Sequence, residues 1–217
     1  MSGASISFRK SIRWLPDDAS EPTQTVVLTG LESGAFLDVR FDKASGELDW
    51  AFAGYRSAAG PNLTKFTHHI DSRTLAPLEV VDVGTDTPLP DGTTCEAGEM
   101  VHPATGTMTP YEEVWRDEAG AAALIVRNGS AEAASVWRAR VGNWQLALGR
   151  RAAGGFWAWQ ATRSGPGEAW TRVHSTELGT RQELGYLPED GCGFEWPVGS
   201  LVEWAGERWE VLVHFGS

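Results

Sequence analysis

The sequence predicts an all-β protein with low helix content, and three observations carry that reading. Short apolar or alternating runs recur along the chain, each bounded by Gly, Pro, Asp or Asn. No segment holds an apolar stripe of helical period over three turns. The 217-residue chain carries 11 tryptophans and 25 glycines. A helical core of this size has little room for so many indoles, each burying roughly 150–250 Å², so some are expected to line a cavity or its mouth.

The first clear strand is TVVLTG (25–30). In FLDVRFD (36–42), Leu37, Val39 and Phe41 fall on one face and Asp38 and Arg40 on the other. In ELDWAFAG (47–54), Leu48, Trp50 and Phe52 share a face opposite small residues. LTKFTHHI, LEVVDV, YEEVW and AALIVR follow, and RDEAGA between the last two suits a hairpin turn. The second half continues with SVWRARV, NWQLALGR, GFWAWQAT, AWTRVHS, SLVEW and RWEVLVHF. Helix is expected only as short turns, in SAEAAS (130–135) and near RQELGYL.

Two similar β units are expected. GEMVHPATGTMTPYEEVWRDEAGAAALIV and GFEWPVGSLVEWAGERWEVLVHF share an order: Gly, an apolar–Pro turn, Gly, then a hairpin with Trp near its turn. The small, polar stretch RNGSAEAAS (127–135) reads as the linker, which sets units of 1–130 and 131–217. Many short antiparallel strands at this spacing suit barrels or sandwiches, and barrel closure removes exposed strand edges.

A net charge of −11 argues against nucleic acid and against anionic membrane surfaces, both of which select clustered Lys and Arg. No stretch approaches a transmembrane span, and the N-terminal MSGASISFRKSIRWL lacks the apolar core of a signal peptide. Cys95 and Cys192 are the two cysteines; one disulfide is open to them, and free thiols in a cytoplasmic protein are the default. GxSxG, P-loop, GxGxxG and HExxH patterns are absent. The five histidines lack metal-ligand spacing, so neither metal nor cofactor is expected.

The stretch TPYEEVWRD (109–117) carries the best candidate for chemistry. Strand alternation separates its adjacent glutamates: Tyr111, Glu113 and Trp115 share one face, and Glu112, Val114 and Arg116 the other. The aromatic face suits a barrel interior, where burial disfavours ionisation of Glu113 unless a cation compensates. Glu113 is then either a general acid or base, or a group that is solvated or paired structurally with an arginine. In THHID (67–71) the same alternation puts His69 and Asp71 on one face as a possible carboxylate–imidazole pair. Trp50 and Phe52, with Trp157 and Trp159 of GFWAWQ, are the expected pocket-lining aromatics, joined by Tyr111 and Trp115.

WAFAG (50–54), TCEAGEMVHPATGTMTPYEEVW (94–115) and the terminal WAGERWEVLVHF (204–215) resemble a fungal family. It is the Hri-type family, that of the yeast protein named for its interaction with a casein-kinase-I homologue. The resemblance implies two tandem calycin-like (lipocalin-like) antiparallel barrels, fungal origin and an intracellular setting. It supplies no catalytic residues.

Together these features lead to the expectation of a small, largely apolar or aromatic molecule bound in a Trp-lined barrel. Cofactor-free isomerase or cyclase chemistry of fungal secondary metabolism is the concrete version, since it needs only a shaped aromatic cavity and an acid/base group. A non-catalytic interaction module with a kinase partner, a hydrophobic-metabolite carrier and a homodimer are the alternatives.

Overall fold

The computed structural model describes residues 3–129, 135–150, 155–181, 185–189 and 195–216. Most of the expected linker and of the turn at 130–135 lies outside the described residues, as do 182–184 of the expected turn near RQELGYL and Cys192.

The first eight strands run β1 (Ala4–Trp14), β2 (Thr23–Gly30), β3 (Ala35–Asp42), β4 (Leu48–Gly60), β5 (Leu63–Asp71), β6 (Asp82–Pro88), β7 (Thr94–Val101) and β8 (Met108–Gly120). Each pairs antiparallel with the next, and β8 returns to β1, so the sheet closes as an up-and-down barrel. β1 and β7 are absent from the sequence-based strand set. The run LEVVDV, expected as a strand, instead forms a 3-10 turn (Pro77–Glu79) and only the start of β6.

The second half forms a seven-stranded sheet from β9 (Ala123–Asn128), β10 (Val136–Val141), β11 (Trp144–Arg150), β12 (Phe156–Thr162), β13 (Thr171–Ser175), β14 (Leu201–Trp204) and β15 (Glu207–Phe215). A one-turn helix α1 (Glu177–Thr180) follows β13 and is capped by the Thr176 hydroxyl, which accepts from the Gly179 N–H. The strand order is β13-β12-β11-β10-β9-β15-β14. Among the described residues no pairing joins β13 to β14, and the seven strands form an open sheet; a second closed barrel is not found among them. The chain is all-β with little helix, as expected. β8 and β9 do not form the expected hairpin: β8 pairs with β1 and β7, and β9 with β10 and β15, so RDEAGA carries the chain from one sheet to the other.

The main apolar core lies between these two units. The outward face of the barrel, including Val26, Leu28, Leu37, Val39, Phe41 and Ile70, packs on Ile125, Trp137, Ala139, Leu146, Leu148 and Ala158 of the open sheet. The Gln160 side-chain amide donates to the Val39 carbonyl at 2.7 Å and the Gln24 carbonyl at 3.1 Å, tying the sheet to the barrel wall. The apolar side of the FLDVRFD alternation therefore faces out of the barrel, and Asp38 and Arg40 face in. Because both faces of β3 are covered, only its terminal Asp42 escapes full burial.

One irregularity decides which histidine enters the barrel. The β4–β5 register steps from Ala53↔Ile70 to Gly54↔His68, leaving His69 as the extra residue of a bulge. At Gly54 a Cβ would stand 1.9 Å from the Thr67 carbonyl oxygen, so this close approach requires glycine.

Candidate ligand site in the barrel lumen

The inner wall carries two charged clusters. In the first, the Arg40 guanidinium from β3 donates to both Asp38 oxygens (Nε to Oδ1 3.1 Å, Nη2 to Oδ2 2.8 Å) and to Glu113 Oε1 of β8 at 2.9 Å. Arg9 of β1 donates to the same Glu113 oxygen, to Glu21 at 2.9 Å and to the Thr23 hydroxyl at 2.6 Å. Glu113 is 1% exposed. Burial opposes its charge, but Arg40 and Arg9 outweigh that and hold its carboxyl below the usual range. Asp38 moves the other way: burial dominates over Arg40 and pushes its carboxyl up.

In the second cluster, the His68 ring lies between two carboxylates, with Nδ1 2.8 Å from Asp71 Oδ2 and Nε2 3.0 Å from Asp82 Oδ2. Burial disfavours the imidazolium, yet the bonds to Asp71 and Asp82 prevail and raise its pKa. The Trp50 indole N–H donates to the other Asp71 oxygen at 2.9 Å, and Phe52 stacks on the imidazole at 4.2 Å with the planes 14° apart.

Beside these clusters stands Glu96 of β7, a carboxyl without a cation. Tyr111 donates its hydroxyl proton to Glu96 Oε1 at 2.8 Å. Burial first, and the nearby Glu113 charge second, push Glu96 up to about 8. Burial, Glu96 and Glu113 likewise raise Tyr111 and keep it a neutral donor. Its room comes from Gly84 across the β6–β7 pair, where a Cβ would lie 2.5 Å from the Glu96 side chain.

The clusters surround a cavity of about 250 Å³. Phe36, Phe52, Phe66, Met100 and Trp115 supply its apolar wall; Asp38, Arg40, Asp82, Asp86, Glu96 and Glu113 supply the polar one. Exposed Arg56, Asn62, Pro88 and Asp117 stand at its mouth. The opposite end is filled by Trp50, with the Arg40 and Arg73 guanidiniums 4.9 Å and 4.5 Å from its ring. Eight strands enclose an interior that is either filled by side chains or left to hold one small ligand; here a volume worth several waters remains.

Six of the nine residues expected at the site meet in this lumen: Trp50, Phe52, Asp71, Tyr111, Glu113 and Trp115. Three do not. His69 is turned outward by the bulge, its ring edge-on to Tyr55 and Trp137 at 5.1 Å and 6.1 Å, so the imidazole paired with Asp71 is that of His68. Trp157 and Trp159 lie on the far face of the open sheet, packed with Ala147, Ala161, Trp170 and Tyr186 away from the barrel, because the barrel-facing side of β12 is that of Ala158 and Gln160. The sequence reading missed Glu96, His68, Arg9 and Arg40 as site residues. The available signal was charge on the β3 face opposite three large apolar residues. Among the described residues no three His, Cys, Asp or Glu side chains are placed to hold a metal ion, and no helix is long and apolar enough to cross a membrane.

A sequence profile of one family, described as Protein HRI1, matches residues 5–212. The chain belongs to the HRI1 family. Among solved structures, an uncharacterized protein of Saccharomyces cerevisiae, YLR301w, superimposes with a TM-score of 0.74 at 16% identity, over 98% of this chain and 99% of that one. At that identity the likeness carries the fold. No curated protein matches the sequence. In this HRI1 chain two of the three stretches that carried the family resemblance reach the cavity, with Glu96, Glu113 and Trp115 from 94–115 and Phe52 from 50–54 on its wall, while 204–215 belongs to the open sheet.

Proposed function

We propose that the eight-stranded barrel binds a small, largely aromatic molecule in its lumen. The observation that carries this reading is the cavity of about 250 Å³, walled by Phe36, Phe52, Phe66 and Trp115 on one side and by buried carboxyls on the other. Concave sites lined by aromatics with a few converging polar groups are where proteins hold small ligands. An interaction module needs no such space and would gain stability from filling it, so the cavity favours a ligand over a kinase partner.

Cofactor-free proton transfer, as in an isomerase or cyclase, is the second reading. Glu96 favours it: a cavity carboxyl with its pKa near neutrality is suited to give and take a proton. Glu113, the sequence-based candidate, is held ionised by two arginines, which suits it to organise the wall rather than to exchange protons. A metabolite carrier would use the same cavity and release its ligand unchanged.

Ligand-observed NMR with a set of small aromatic fragments of differing charge tests the binding. Fragments are expected to bind the wild type and to lose binding in Ser7→Trp, which introduces an indole at the partly exposed lumen wall, with the unfolding curve unchanged. Binding that is indifferent to Ser7→Trp would place the ligand elsewhere. Mass spectrometry of the denatured, freshly purified protein before and after incubation with a retained ligand separates turnover from carriage.

A further inference from the structure

The charge inside the barrel is segregated. The cavity wall presents six carboxyls, Asp38, Asp82, Asp86, Glu96, Glu113 and Asp117, against two guanidiniums, Arg40 and Arg56. Arg40 is committed to Asp38 and Glu113, and Arg56 stands exposed at the mouth. Strands β6 and β7 contain no Lys or Arg, yet they supply Asp82, Asp86 and Glu96. Within this acidic wall, Asp82 accepts from His68, Asp86 accepts from the Thr64 hydroxyl at 2.7 Å, and Glu96 accepts from Tyr111. Glu96 alone among the three has neither a cationic partner nor open water, being 8% exposed. The cavity beside it is bounded by Phe66, Phe36 and Met100. The Trp115 indole N–H, on the same wall and 9% exposed as a residue, has no hydrogen-bond partner among the described residues.

We infer that the ligand is an organic cation, an aromatic ammonium whose charged end seats against Glu96 and Asp86, and that its entry displaces a proton from Glu96 to solvent. This rests on the lumen being the ligand site. An ammonium supplies the positive charge that β6 and β7 lack, donates to carboxyl oxygens with charge-assisted bonds, and sits favourably over the faces of Phe and Trp rings. The balance is simple: one ammonium enters, the Glu96 carboxyl becomes a carboxylate, and one proton leaves. An anion would meet Asp82, Asp86, Glu96 and Glu113 with no free arginine deeper than the rim. The groups facing Glu96 are Asp82 and Asp86 from β6 and Tyr111 and Glu113 from β8. Glu113, Asp82 and Asp86 disfavour its charge, and the hydrogen bond from Tyr111 is the one contact of the four that supports it. A cation is therefore what the Glu96 site lacks in its ionised form. Burial and the Glu113 charge push the Glu96 carboxyl up to about 8, so the exchange falls in the neutral range.

The test uses three probes with one ring and one arm: 2-phenylethylamine, 2-phenylethanol and 3-phenylpropanoate, measured by isothermal titration calorimetry on the full chain. The amine is expected to bind at least about 10-fold more tightly than the alcohol, with the propanoate weakest. At pH 7, buffers of different ionisation enthalpy should reveal proton release on amine binding and none with the alcohol. Amine affinity should rise between pH 6 and 8.5, where Glu96 loses its proton. Glu96→Gln should abolish the proton release and flatten the pH profile while the alcohol still binds; Asp86→Asn, a second and independent variant, should also lower the preference for the amine. An alcohol that binds as well as the amine overturns the inference and leaves the lumen site standing, as does proton release that survives Glu96→Gln. Failure of all three probes removes the inference together with the site it rests on.

Discussion

The inner and outer surfaces of the barrel differ more than the two halves of the chain do. Outside, the wall is aliphatic and aromatic and is covered by the open sheet; inside, it holds two ion clusters, the buried Glu96 carboxyl hydrogen-bonded to Tyr111, and a cavity. In a small barrel the interior is ordinarily where apolar side chains pack. Here the second sheet provides the apolar partner, and the lumen is released from that role. The adjacent glutamates of β8 condense the contrast. Glu112 points out and meets Arg13 at 2.7 Å with both side chains more than a third exposed. Glu113 points in and is shared by Arg9 and Arg40 with all three buried.

The sharpest way to break this comparison is to remove the inner carboxylate. Glu113→Gln leaves Arg9 and Arg40 close together without their shared anion, and disrupting a buried pair costs about 4 kcal/mol. The melting temperature should fall by roughly 10 °C. A loss below about 1 kcal/mol in urea unfolding would mean that the cluster is solvated.

Leu37→Ala attacks the other surface of the same wall. Leu37 is fully buried between barrel and sheet, and the truncation should cost about 3 kcal/mol through lost burial and a cavity. Fragment binding to the lumen should persist once the protein is folded. Binding that disappears with stability would show that the two surfaces are not separable in function.

Glu96→Gln should act in the opposite sense. The unfolded chain loses this proton near pH 4.5, whereas the folded barrel holds it to about pH 8. The folded state therefore binds more protons between those values, and wild-type stability falls as pH rises through them. The Gln variant escapes that loss, so it should be more stable by on the order of 3 kcal/mol at pH 7. The difference should vanish below pH 4.5. Thermal melts of both proteins from pH 4 to 8.5 would show it, and parallel profiles would contradict the burial of an uncompensated Glu96.

The smallest effect belongs to Glu112→Gln. An exposed ion pair is worth less than about 1 kcal/mol and is screened by salt, so this variant should melt within a degree or two of the wild type.

The alternation of β3 and β8 was readable in the sequence, and so was the separation of Glu112 from Glu113; in β4 it holds for Trp50 and Phe52, but a register shift opposite Arg40 and Phe41 puts Leu48 with the outer core instead of on their face. Which face points inward was readable only for β4 and β8, where aromatics flank the inner positions. In β3 the apolar face packs on a second sheet that the strand pattern cannot reveal, and the charged face closes the lumen. The exchange of His69 for His68 depends on a one-residue bulge opposite Gly54, which a period of two does not encode. Glu96 went unseen because TCEAGEMV, with two small residues and two glutamates, does not read as a strand. Trp157 and Trp159 alternate like lumen residues, but they belong to an open sheet whose far face has a core of its own.

The central claim, that ligands enter the lumen and not the Trp-rich far face of the sheet, is tested most directly by the indole N–H resonances of the protein. They can be assigned by Trp→Phe substitution at 115, 157 and 159 and followed during titration with 2-phenylethylamine. The account predicts that the Trp115 signal shifts with saturation while those of Trp157 and Trp159 stay in place. Shifts at Trp157 and Trp159 with Trp115 unmoved would contradict it.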